Sequence, residues 1–149
     1  MRAVAAVQPY SEFLRQFGSL DEPAFLERVL CPHLFFPSLP ELSTHEVFAT
    51  AQFKLADLKA TQAREGQGII PLRKAADSNA FGMMVTMGRA PNNDLVIPDG
   101  RVSKFHAYFR QVGERWMLTD ANSTNGTSVE SVRVAPDRSV EIHSNATIE

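Results

Sequence analysis

Residues 83–127 read MMVTMGRAPNNDLVIPDGRVSKFHAYFRQVGERWMLTDANSTNGT, and this stretch decides the fold. Met83 to Met87, Leu95 to Ile97, Phe105 to Phe109 and Trp116 to Leu118 are short apolar runs of strand length. Between them stand Pro91-Asn92-Asn93-Asp94, Pro98-Asp99-Gly100, Gly113-Glu114 and Asn122 to Gly126, all residues that supply turn geometry. Phe105, Ala107 and Phe109 alternate with His106, Tyr108 and Arg110, which predicts a strand with Phe105 and Phe109 on its inward face and Trp116 beside them in the core. Outward from this block the pattern continues at Ile69 to Leu72, Val132 to Val134 and Val140 to Ile142. Short strands at regular spacing imply a β-sandwich or barrel from about residue 66 to residue 149.

Residues 1–65 read differently. Tyr10, Phe13, Leu14 and Phe17 follow helical spacing with Gly18 at the C-terminal cap position. Asp21 and Pro23 open a second helix carrying Phe25, Leu26, Val29 and Leu30. From Pro32 to Pro40 three prolines interrupt an apolar stretch, which predicts irregular packing. Ser43-Thr44-His45-Glu46 matches a capping box, and Phe48, Ala51, Leu55 and Leu58 predict a third helix to about Arg64, packed on the sandwich or on another helix. The chain therefore reads as an α-helical N-terminal extension, 1–65, and a β-sandwich, 66–149.

Composition narrows the function. Fifteen Lys and Arg against 17 Asp and Glu give a net charge of −2, too little positive charge for a general polyanion binder. A single cysteine, Cys31, excludes an intrachain disulfide and a polythiolate zinc site, and fits a reducing, cytoplasmic setting. The apolar start Met1 to Val7 is too short for a secretory signal, and no run spans a bilayer. Cys31, His33 and His45 are scattered among prolines and do not make a metal site, so no metal, cofactor, nucleic acid or membrane partner is expected.

Three motifs sit where strands meet loops: Gly88-Arg89, Ser103-Lys104-Phe105-His106 and Ser123-Thr124-Asn125-Gly126-Thr127. Together they offer a guanidinium, an ammonium, hydroxyls and a carboxamide, which is a donor set for a tetrahedral dianion. A Ser103, His106, Asp120 hydrolytic triad is formally available. Ser103 and His106, three apart near a strand start, are expected on opposite faces, which argues against a nucleophile and its base.

With Asn93-Asp94-Leu95-Val96-Ile97, Gly113, Trp116 and Asp120 in order between and around these motifs, the chain from about Gly66 resembles the forkhead-associated (FHA) domain. The resemblance implies a mainly β, FHA-type sandwich that recognises phosphothreonine peptides without catalysis, downstream of a Ser/Thr kinase. It implies Arg89, Ser103, Lys104 and Thr124 on the phosphate, Asn125 on the peptide main chain, and Gly88, His106 and Gly126 shaping the loops. It also implies a small recess for the threonine methyl group. The implied partner is a phosphothreonine-containing protein, such as a kinase or its substrate. Thr44, Thr50 and Thr61 are candidate phosphorylation sites within the chain itself. The alternative is a phosphorylation-independent scaffold using the sandwich and the extension.

One departure stands out. The family continues with a further strand or two, whereas here His143-Ser144-Asn145-Ala146 leads only to Glu149. A sandwich lacking its last strand would expose a sheet edge. A shortened chain is the favoured expectation, then a strand-exchanged dimer, then substitution by a segment of the N-terminal extension.

Overall fold

The structure, a computed structural model, describes residues 8–36, 48–51, 67–75 and 79–149. Two sheets face each other. The smaller has the order β11-β8-β7-β5-β6, built from β5 (Val85–Gly88), β6 (Leu95–Val96), β7 (Ala107–Val112), β8 (Arg115–Asp120) and β11 (Ser139–Ile142). The larger has the order β1-β4-β2-β3-β12-β9-β10, from β1 (Gln8–Pro9), β2 (His33–Phe36), β3 (Phe48–Ala51), β4 (Gly68–Pro71), β9 (Ser128–Val129), β10 (Val132–Arg133) and β12 (Thr147–Ile148). All pairings are antiparallel except β5 with β6.

Alternation along the strands decides which side chains fill the space between the sheets. Leu34 and Ile70 of the larger sheet meet Val85, Met87, Phe109 and Leu118 of the smaller one, with Leu72, Leu95, Ile97 and Ile148 completing the core. The neighbours Phe35 and Ile69 face the other way and are covered by two helices, α1 (Tyr10–Phe17) and α2 (Glu22–Arg28). Tyr10, Phe13 and Phe25 are buried there, each stabilising the layer by roughly 1.5–3 kcal/mol. The Asp21 carboxylate caps α2 by accepting from the Ala24 N–H at 3.0 Å. Gly18 ends α1 in ordinary right-handed geometry, φ −68°, and is needed for space: a Cβ there would lie 2.6 Å from the Leu14 carbonyl oxygen.

Four expectations change. The stretch after Pro32 is a strand, not irregular: β2 lies inside the sheet, paired with β4 and β3 across His33–Phe36, a run that contains no proline. Phe48–Ala51 is strand β3 rather than the start of a helix; the remainder of that stripe, with His45, Thr44 and Thr61, lies outside the described residues. Phe105 is not a core residue. The strand begins only at Ala107, so the alternation does not reach Phe105, which is 40% exposed and stacks on Phe81 and Tyr108. Finally, β12 is paired on both edges, by β9 within the sandwich and by β3 from the N-terminal segment. A segment of the N-terminal extension thus covers the β12 edge, in place of the exposed edge expected there.

Candidate functional site

The loops leaving β5, preceding β7 and following β8 meet at one rim of the sandwich. At the end of β5, Gly88 lies against the Lys104 carbonyl, so a Cβ there would collide with backbone. That close approach lets the Arg89 N–H donate to the Ser103 carbonyl at 2.9 Å and the Ala90 N–H to Lys104 at 3.1 Å. Asn93 reinforces it, donating from Nδ2 to the Ala90 and Lys104 carbonyls at 2.9 and 2.7 Å. The first loop is thereby fastened to the second.

The second and third loops are fastened through Ser103. Its Oγ accepts the Thr124 N–H at 3.0 Å and lies 3.4 Å from the Thr124 hydroxyl. Asn125 donates to the Arg101 carbonyl at 2.7 Å. Beneath them His106 joins both loops: its Nδ1 accepts the Ser103 main-chain N–H at 3.1 Å, and the Gly126 carbonyl accepts from the ring. Burial holds the imidazole below its usual pKa, outweighing the neighbouring Asp120 charge and the Gly126 carbonyl, so the ring is neutral at pH 7.

Residues 103–106 form a loop, so the expectation of opposite faces for Ser103 and His106 does not apply. What they share is a main-chain contact, not a hydroxyl-to-imidazole hydrogen bond, and Ser103 Oγ is engaged with Thr124. Asp120 is likewise occupied. It accepts from the Ser123 hydroxyl at 2.7 Å, the Ser123 N–H at 2.9 Å and the Thr127 hydroxyl at 2.6 Å. Burial raises its pKa, but these bonds and the His106 ring win and hold it below the ordinary carboxylate value. Asp120 therefore folds the Ser123–Thr127 loop, and the three side chains do not form a hydrolytic relay.

On top of this framework lie the cations. The Arg89 Nε donates to the Val102 carbonyl at 3.2 Å, which aims the guanidinium along the Ser103 loop and leaves its terminal nitrogens without an acceptor among the described residues. Lys104 is exposed beside it. Arg101 is not available in the same way, because Asp99 holds it at 2.6 and 3.0 Å. An open cleft of about 120 Å³ runs between the loops, with Met87, Val102, His106, Asn125 and Gly126 in its walls. The structure thus brings Arg89, Ser103, Lys104, Thr124 and Asn125 to one rim over Gly88, His106 and Gly126.

Two contributors escape the motif reading. A buried network centred on Asp94 anchors the loop before β5. The carboxylate accepts from Lys74 Nζ at 2.9 Å, the Thr86 N–H at 2.8 Å and the Ala75 N–H at 3.0 Å. Asn-Asp after Gly-Arg is its only local signal. The other is Arg133, whose guanidinium lies against Gly126.

A sandwich that presents converging donors from its connecting loops, with His106 and Asp120 occupied in holding those loops, is built as a recognition module rather than a catalytic site. Residues 85–149 match the family model of the FHA domain, and the chain contains an FHA domain. It is 33% identical over 74 residues to the FHA domain-containing protein PS1 of Arabidopsis thaliana, covering 48% of this chain and 5% of that protein. It is 29% identical over 69 residues to the oxoglutarate dehydrogenase inhibitor of Corynebacterium jeikeium, covering 44% and 48% respectively. The chain thus matches a twentieth of one relative and about half of the other. The FHA domain of an Arabidopsis thaliana hypothetical protein, solved in solution, superposes with a TM-score of 0.50 at 21% identity, covering 81% of this chain and 79% of that one.

Proposed function

We propose that the chain recognises a phosphothreonine-containing segment of a partner protein, and so acts downstream of a Ser/Thr kinase. The observation that carries this reading is the convergence of Arg89, Ser103, Lys104 and Thr124 on one rim, with the terminal nitrogens of Arg89 and the Lys104 ammonium uncommitted among the described residues. A phosphate carries about −1.5 to −2 charges at pH 7 and strong acceptor oxygens, which match a guanidinium fork, an ammonium and two hydroxyls. Its oxygens take over the Ser103–Thr124 pairing. Asn125 orients the peptide main chain beside them, and the cleft walled by Met87, Val102 and His106 is the recess we assign to the threonine methyl group.

An oriented phosphothreonine peptide library tests the reading: enrichment of sequences that bind only when phosphorylated supports it. The competing reading is phosphorylation-independent docking, favoured by the exposed stack of Phe81 on Phe105 on Tyr108, with ring centroids 6.1 and 6.3 Å apart. Partners that survive phosphatase treatment before pull-down would establish that reading instead.

A further inference from the structure

Arg133 sits in β10, paired with Ser128 of β9, and its exposed side chain reaches back over the Asn125–Gly126 turn. The contact is close: the guanidinium fills the space a Cβ would occupy at Gly126, whose φ of +79° independently favours glycine. Yet Arg133 makes no hydrogen bond or ion pair among the described residues. Of the nearby acids, Glu130 accepts the Thr147 N–H, and Glu149, which lines the cleft with Gly126, makes no ion pair with Arg133.

The cations of the rim therefore divide by what they can reach. Arg101 is neutralised by Asp99. Arg89 and Lys104 flank Ser103, on the phosphate side. Arg133 lies against Gly126, the neighbour of Asn125, which the phosphopeptide reading places on the peptide main chain. The planar fork of Arg133 has its donors free among the described residues and lies over a residue without a side chain, an arrangement that suits a carboxylate or a second phosphate. We infer that Arg133 is a specificity-determining residue that selects an anionic side chain near the phosphothreonine in the bound peptide. This rests on the phosphopeptide reading above and extends it to the sequence around the phosphorylated residue.

The test is fluorescence polarisation with the full chain and phosphothreonine peptides on an alanine background, with Asp or phosphoserine walked through the positions on either side. The wild-type protein should bind roughly 5-fold more tightly when the anion occupies one position or two neighbouring ones, the scale of an exposed but well-oriented pair. Arg133→Gln should abolish that gain and leave the affinity for the plain alanine peptide unchanged; Arg133→Lys should keep part of it. A gain with Asp identifies a carboxylate as the ligand, and a gain with phosphoserine alone identifies a second phosphate. The inference is overturned if no position responds, if the gain survives in Arg133→Gln, or if Arg133→Gln weakens the plain peptide equally, which would make the residue only a prop for the turn. Failure of the wild-type protein to bind any phosphothreonine peptide would overturn the functional reading itself.

Discussion

Replacing His106 by Ala should both loosen the recognition rim and destabilise the sandwich, because one ring ties two loops together. The substitution removes the acceptor of the Ser103 N–H and the donor to the Gly126 carbonyl, beside the open cleft that His106 and Gly126 line. Each lost bond costs about 1 kcal/mol net, and the vacated, partly desolvated site adds about another, for a total of about 3 kcal/mol. For a chain of this size that is a fall in Tm of about 10 °C. Urea denaturation followed by Trp116 fluorescence, with thermal melting in parallel, measures both quantities. The pH dependence provides a second handle. The ring's folded pKa lies below its unfolded value of about 6.5, so as pH falls below that value the unfolded chain takes up the proton first and stability declines. A protonated Nδ1 would also face the Ser103 N–H donor to donor. His106→Ala should therefore flatten part of the acid limb. A loss below about 0.5 kcal/mol with an unaltered acid limb would refute the idea that this ring holds the loops together.

Other substitutions probe the supports of the site. Asp94→Ala, at a fully buried carboxylate, leaves Lys74 and the Thr86 and Ala75 amides without their shared acceptor; it should cost about 3–5 kcal/mol in urea denaturation, whereas a cost near zero would show that the network contributes no net stability. His33, packed edge-on to Phe13 under the helices, is pushed down to about 4 mainly by burial. Stability should thus fall as pH drops from about 6.5 toward 4, by up to about 3 kcal/mol, and His33→Gln should remove that component in an acid titration followed by circular dichroism.

The recognition rim was legible in the sequence because its parts are local. Gly88-Arg89, Ser103 to His106 and Ser123 to Thr127 each occupy a single loop, and the strands that carry them have turn residues at both ends. The N-terminal half was legible only where helical periodicity met good caps, at Tyr10–Phe17 and Asp21–Arg28. Phe48 and Ala51 also fall at helical spacing, but here sheet pairing with β2 and β12 wins over that local pattern. Prolines around His33–Phe36 discouraged a central strand, although none lies within it. Two-residue strands such as β9 and β12 carry no periodicity at all, so the way the sandwich closes on the N-terminal segment could not be read locally. Arg133 was missed for a related reason. Nothing near it in sequence announces that β9–β10 pairing carries it back onto Gly126.

Phosphate recognition as proposed centres on Arg89, and calorimetry with one library-selected peptide in phosphorylated and unphosphorylated forms tests that most directly. The wild-type protein should bind only the phosphorylated form. Arg89→Ala should weaken that binding roughly a hundredfold, the loss of a bidentate charge-assisted pair, with Tm nearly unchanged because the side chain is exposed. Equal affinity for the two peptide forms, or undiminished phosphopeptide binding by Arg89→Ala, would contradict it.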